Sequence, residues 1–209
     1  MKIFHGTDNA NILRGTVLTL GVFDGLHLGH QRIMQTVVSR AKATNTIPTA
    51  ITFDPHPRAV LHPASAPPLL QTLDQRLAAF EVLGIQQTIV IRFTKDFAAN
   101  EAEEFLREIV HERLQAKEVY LGKGFEFGKN RGGNIELLKK MSAELGFFAD
   151  EVPEIRLHGQ RISSSKIRHL LSEGKINLAR RMLGRPYGVE GQIEHGSQRG
   201  HEIGFQRRI

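Results

Sequence analysis

The chain has 209 residues, 40% hydrophobic and 24% charged, with 12 Phe, 2 Tyr, no Trp and no Cys. That balance suits one large globular domain, or a domain plus a fragment, and argues against disorder, collagen-like repeats and coiled coil; the missing cysteines exclude a disulfide framework, thiolate zinc sites and a cysteine nucleophile. The formal net charge of +6 is unevenly placed, since Met1 to Ile155 hold 17 Lys+Arg against 18 Asp+Glu (−1) while Arg156 to Ile209 hold 11 against 4 (+7). Such a block suits a nucleic-acid surface, a pocket for a highly charged anion or a solvated tail.

Thr16 to Phe23 (TVLTLGVF) is a β-rich apolar run. After Gly25, apolar residues at Ile33, Met34, Val37, Val38 and Ala41 fall on one helix face, so the stretch reads as strand, tight turn and helix. Ile47 to Phe53 is a second predicted strand, Pro55 to Pro68 a Pro-rich loop, and Leu73 to Leu83 a helix stopped at Gly84. Thr88 to Phe93 follows as a strand, Ala102 to Leu114 as a helix, Glu118 to Leu121 as a strand and Asn134 to Leu145 as a helix ending at Gly146. Phe147 to Ile155 is a fifth strand, and Ser163 to Glu173 and Ile176 to Leu183 are two short helices. Strands alternating with helices of this length imply right-handed crossovers and a doubly wound, mostly parallel α/β sheet. Arg185 to Ile209 has weak periodicity and is too short for a core of its own. No apolar run approaches the roughly 20 residues that cross a bilayer, and Met1 to Arg14 is too polar for a secretory core, so a cytoplasmic protein without a membrane partner is expected.

In such a sheet, ligands bind beyond the carboxyl ends of the strands. The first strand-to-helix turn reads Gly21-Val22-Phe23-Asp24-Gly25-Leu26-His27-Leu28-Gly29-His30. Its glycines let the backbone approach a ligand, and the helix start offers free N–H groups and a positive dipole end to an anion. His27 and His30, three apart, can point the same way and suit a polyphosphate whose charge grows as a bond breaks. The same pair also suits a helix cap or a surface feature. Zinc would require a third ligand, for which the sequence offers no matching spacing. The glycines fit neither the phosphate loop with its Gly-Lys-Ser/Thr nor the dinucleotide fingerprint. A second constellation, Arg161-Ile-Ser163-Ser164-Ser165-Lys-Ile-Arg168, can cap a helix and can equally bind phosphate oxygens, with Arg161 and Arg168 reaching one anion.

Taken with Phe53-Asp-Pro-His56-Pro57 and Leu121-Gly-Lys-Gly-Phe125-Glu-Phe127-Gly128, these motifs resemble, in order and spacing over about residues 15–188, the adenylyltransferase module of bacterial FAD synthetases, which are bifunctional riboflavin kinase/FMN adenylyltransferases. The resemblance implies a Rossmann-like nucleotidyltransferase fold over residues 1–186. It also implies transfer of AMP from ATP to FMN, giving FAD and pyrophosphate, with Mg²⁺ held mainly by the nucleotide phosphates. Carried over by motif, His27 and His30 contact the ATP phosphates and stabilise the transition state, Gly21 to Asp24 line the adenosine site, Arg161, Ser164 and Arg168 hold the outer phosphates, and Gly29, Ser163 and Ser165 are further ATP-binding residues. Phe53, His56, Pro57, Phe125 and Phe127 are candidates to wall the isoalloxazine ring, although Phe53 and Phe127 equally suit a core.

The sequence departs from the family at two places. Gly124 stands where Asp or Asn is common. Gly191 to Phe205 resembles the opening of the riboflavin kinase module but continues Gln206-Arg-Arg-Ile209 in place of Pro-Thr-Ala-Asn, so residues 187–209 are expected to be a truncated kinase remnant without kinase activity. A transferase with another phosphorylated acceptor, such as phosphopantetheine or nicotinamide mononucleotide, and a non-catalytic flavin-nucleotide binding module are the alternatives. An RNA-binding reading of the basic end lacks an aromatic platform, because residues 156–209 hold only Tyr187 and Phe205, and no nucleic-acid partner is expected.

Overall fold

The computed structural model describes residues 1–191. Strands β1 (Lys2–His5), β2 (Thr16–Leu20), β3 (Ile47–Asp54), β4 (Gln87–Arg92), β5 (Glu118–Gly122) and β6 (Phe148–Val152) form one parallel sheet in the order β1-β4-β3-β2-β5-β6. The doubly wound architecture expected from the sequence is therefore present. The edge strand β1 was not foreseen: it is four residues long with only Phe4 turned to the core, too short to show a period. The strand expected over Phe147 to Ile155 stops at Val152.

Alternation along the strands sorts side chains to the two faces. Val17, Ala50, Val90 and Tyr120 meet Ile33, Met34, Val37 and Ala41 of α1 (Leu28–Thr44), while Leu77 and Phe80 of α3 (Leu73–Val82) close that side. In the chain, the short α2 (Pro57–Leu61) follows β3 and precedes α3. Leu18, Ile51, Ile89, Val119 and Leu121 face the opposite layer. It contains α4 (Lys95–Ala98), α5 (Ala102–Phe105), which runs on as a π-helix over Leu106–Arg113, and α6 (Ile135–Leu145). After β6, β7 (Arg156–Leu157) and β8 (Gln160–Arg161) form a tight hairpin through His158 and Gly159, both at positive φ, as a two-residue primed turn requires. Helices α7 (Ser164–Ser172) and α8 (Ile176–Leu183) then pack together over Leu70 and Ile162 in a third apolar cluster.

Among the described residues no helix is long and apolar enough to cross a membrane. Of the segment read as a kinase remnant, residues 187–191 have no regular secondary structure, and residues 192–209 lie outside the described residues.

Candidate functional site

Strand β2 has β3 on one side and β5 on the other, so the chain changes direction across the sheet here; this is the switch point where loops splay and leave a crevice. A cleft of about 380 Å³ opens at the carboxyl ends of β2, β5 and β6. It is lined by Gly21, Val22, Phe23, Asp24, His27, Gly29 and His30 from the β2–α1 turn, by Gly124 and Phe125 after β5, by His56, and by Arg161, Ser163, Ser164, Ser165 and Arg168. Fourteen of the seventeen site residues expected from the sequence are thus brought to one place, and Gly124 joins them.

The β2–α1 turn is held in a conformation its residues do not favour. Phe23 (φ 54) and Leu26 (φ 36) lie at positive φ beside Gly25 (φ 79), and a non-glycine residue there persists only where its surroundings impose it. Those surroundings are donors aimed at every carbonyl from Val22 to Leu26. Arg76 donates to Val22 (2.6 Å), the Leu26 N–H to Phe23 (3.1 Å), Ser164 Oγ to Asp24 (2.8 Å) and Arg185 to Gly25 (2.9 Å). Leu26 receives both Gln31 (2.8 Å) and Arg185 (3.2 Å). A side chain at position 25 would also meet Leu70 at 2.6 Å, so glycine is required there by space as well as by φ.

Asp24 is almost wholly buried. Its carboxylate accepts the N–H groups of Leu70 (3.0 Å) and Gln71 (3.1 Å) and pairs with Arg168 Nη2. Arg168 Nε donates to the Pro68 carbonyl (2.7 Å). The guanidinium expected on the outer phosphates is therefore committed to the loop. Arg161 is different: it stands 59% exposed at the rim, with Nε 3.3 Å from Glu154 and Nη2 donating to the Lys123 carbonyl (3.3 Å). Ser163 caps α7 by accepting the Lys166 N–H (3.2 Å).

His27 is the N-cap of α1. Its Nδ1 accepts the N–H of His30 (3.3 Å), which leaves the ring proton on Nε2. The two imidazoles stack with centroids 3.7 Å apart, and Phe23 meets His30 edge-on at 5.3 Å. Burial lowers the His27 pKa from 6.5 to about 4 and holds His30 well below its usual value, with the neighbouring His27 adding to the effect. Both rings are neutral at pH 7 and serve as hydrogen-bonding groups. His30 Nδ1 is buried with no hydrogen-bond partner among the described residues. The first turn of α1 contains no acidic side chain, so nothing within it offsets the positive end of the helix.

Three expected residues fall outside the cleft lining. Phe53 and Phe127 are buried in the core, in an aromatic train that runs Phe53, Phe97, Phe105, Phe127, Phe125, with centroids 6.0 to 6.3 Å apart. Only its last member reaches the cleft, because β-strand alternation turns Phe53 into the lower layer and the Phe127–Gly133 bridge pins Phe127 there. Pro57 opens α2, directly after its cap His56, whose Nδ1 accepts the Arg58 N–H (3.1 Å). The sequence reading missed Arg76, Arg185 and Gln31. Arg76 had a signal, a charged residue among the inward positions Leu73, Leu77 and Phe80 of α3; Arg185 and Gln31 act across the fold and left none.

Uncharged imidazoles at a helix start, facing hydroxyls and guanidinium groups across a strand-end crevice, are suited to grip and reorganise a chain of phosphates, and on this parallel sheet they define a nucleotidyltransferase. Comparison with known proteins narrows the class. Residues 9–166 match the FAD synthetase family, and the chain belongs to it. The bifunctional riboflavin kinase/FMN adenylyltransferase of Haemophilus influenzae is 34% identical over 206 residues, covering 98% of this chain and 67% of that protein. The protein of the same name from Buchnera aphidicola subsp. Schizaphis graminum is 33% identical over 207 residues, covering 98% and 66%. The chain thus spans about two thirds of the length of these curated relatives. A crystal structure described as a macrolide-efflux protein from Streptococcus pneumoniae shares the fold, with a TM-score of 0.82 at 24% identity over 94% of this chain and 66% of that one.

Proposed function

We propose that this chain transfers the AMP moiety of ATP to FMN. A phosphate oxygen of FMN attacks the α-phosphorus, the bond from that phosphorus to the bridging oxygen breaks, and pyrophosphate leaves with the electron pair, giving FAD. No protein nucleophile is needed, so the chain's task is positioning and charge stabilisation. The observation that carries the reading is the stacked, neutral His27–His30 pair at the start of α1, facing the serine-rich start of α7 across one cleft. His27 Nε2–H is free to donate to a phosphate oxygen as charge shifts onto the leaving group, and Arg161 can exchange Glu154 for the outer phosphates. Mg²⁺ bound to ATP would neutralise part of the phosphate charge. Among the described residues no group of three or more His, Asp or Glu side chains gathers to hold a metal, so its ligands would come chiefly from the phosphates.

On the flavin side, Phe125 supplies an aromatic wall at the cleft, Phe53 and Phe127 stiffen it from beneath, and His56 lines the cleft with Pro57 behind it as the first residue of α2. Residues 1–186 form the transferase unit in this reading, working in the cytoplasm on small molecules without a nucleic-acid partner. The test is chromatography of flavins after incubating the chain with Mg-ATP and FMN, where FAD is expected. His27→Ala and His30→Ala should each raise the barrier by about 2–4 kcal/mol, the range for removing a transition-state donor, slowing turnover roughly 30- to 1000-fold. Undiminished turnover in both variants would remove the pair from the reaction.

A further inference from the structure

Arg76 lies on the inward face of α3 and is 3% exposed. Its helical neighbours on that face, Leu77 and Phe80, are ordinary core residues, and burying a guanidinium among them costs several kcal/mol unless its contacts offset the lost hydration. The contacts are specific. Nη1 donates to the carbonyl of Val22 (2.6 Å), to Thr52 Oγ1 (3.1 Å) and to the carbonyl of Phe53 (3.3 Å), while Nη2 lies 3.8 Å from Asp54. Thr52 Oγ1 in turn donates to Val22 (3.2 Å). Nε has no hydrogen-bond partner among the described residues. The side chain is therefore incompletely satisfied, and its partners belong to two different walls of the cleft.

Val22 opens the turn that carries Asp24, His27 and His30. Phe53 and Asp54 end β3, immediately before the loop that presents His56. No other described side chain donates to carbonyls of both segments. We infer that Arg76 is a positioning residue for the transfer reaction, setting the spacing between the wall that handles the triphosphate and the wall that handles the flavin. The inference rests on the proposed function for its meaning but not for its geometry. One amino group of the planar head, Nη1, reaches both carbonyls while Nη2 is held toward Asp54; a lysine ammonium lacks that second, fixed arm, and an apolar side chain holds neither carbonyl.

Arg76→Met and Arg76→Lys test it, each measured for thermal midpoint, for kcat and KM with ATP and FMN separately, and for hydrogen exchange at Gly21 to Gly25 and at His56 and Arg58. Arg76→Met is expected to keep its midpoint within a few degrees of the parent, because replacing a buried, partly satisfied ion by a similar apolar volume is often neutral or stabilising. It should lose at least tenfold in kcat and exchange faster at both walls. Arg76→Lys should recover part of the kcat. A folded Arg76→Met with kcat within twofold of the parent and unchanged exchange overturns the inference, as does a fall in midpoint with kcat per folded molecule unchanged. If Arg76→Met does not fold, Arg76→Lys alone decides by the same two readouts. If the parent chain makes no FAD the proposed function fails, and faster exchange at both walls still separates a positioning Arg76 from a merely structural one.

Discussion

The buried histidines at the start of α1 should make the protein unusually sensitive to mild acid. Burial holds His27 at about 4 in the folded chain against 6.5 when free, and His30 is lowered for the same reason. At pH 7 the rings are neutral in both states. As pH falls through 6.5 the unfolded chain takes up protons that the folded rings refuse, so stability declines, and it goes on declining until the folded value is reached. For His27 the gap from 6.5 to about 4 corresponds to about 3.5 kcal/mol at about 1.4 kcal/mol per unit. At 7% exposure solvent screening removes little of that, and it is a sizeable share of a typical domain's 5–15 kcal/mol. Urea unfolding at pH 7.5, 6.5, 5.5 and 5.0, followed by circular dichroism because the chain has no Trp, would measure the part lost by pH 5, about 2 kcal/mol. His27→Asn keeps an acceptor at the N-cap but cannot titrate, and should flatten the decline; with His30→Asn added, little should remain beyond a contribution from His56, whose pKa is also lowered by burial. Carboxylates such as Glu118, lowered by Arg40, lose their contribution only as pH falls below their free value of 4.5, outside this window. Stability that stays level from pH 6.5 to 5, or an equal slope in the double variant, would refute the reasoning.

Two further outcomes are expected. Asp24→Ala strands Arg168 and the N–H groups of Leu70 and Gln71 in a buried site, and should lower the urea-unfolding free energy by about 3–5 kcal/mol; a loss under 1 kcal/mol would mean that the network relaxes at little cost. Gly124 sits at φ 68 with open space where a Cβ would stand, and Asn is a residue that tolerates this conformation, so Gly124→Asn should fold with stability changed by no more than about 1 kcal/mol. Its added amide at the cleft wall should raise FMN affinity or FAD yield in the flavin assay, and a weaker affinity would show that the glycine is required as it stands.

Much of the fold could be read from periodicity, since strands such as Thr16–Leu20 and helices such as Ile135–Leu145 have strong local patterns and distinct stops. The histidine turn and the serine turn could be singled out for the same reason: each is a short run whose residue types suit an anion, and the structure brings both to one cleft. What sequence could not give was allegiance. Arg168 and Arg161 look alike in the motif, yet one is bound to Asp24, 144 positions away, and the other stands at the rim. Phe125 and Phe127 are two apart on one loop, and only a bridge to Gly133 determines which of them reaches the cleft.

The clamp on the histidine turn reaches well past residue 166, where the family match ends: Arg185 and the Leu183 carbonyl, which shares the Gln31 amide with Leu26, belong to the end of α8. Anyone excising this catalytic unit for transplantation, fusion or directed evolution should cut beyond Arg185. A piece trimmed at residue 166 would lose Arg168 and its pairing with Asp24 together with the Arg185 contacts, and a failure to turn over would then be mistaken for a property of the chemistry.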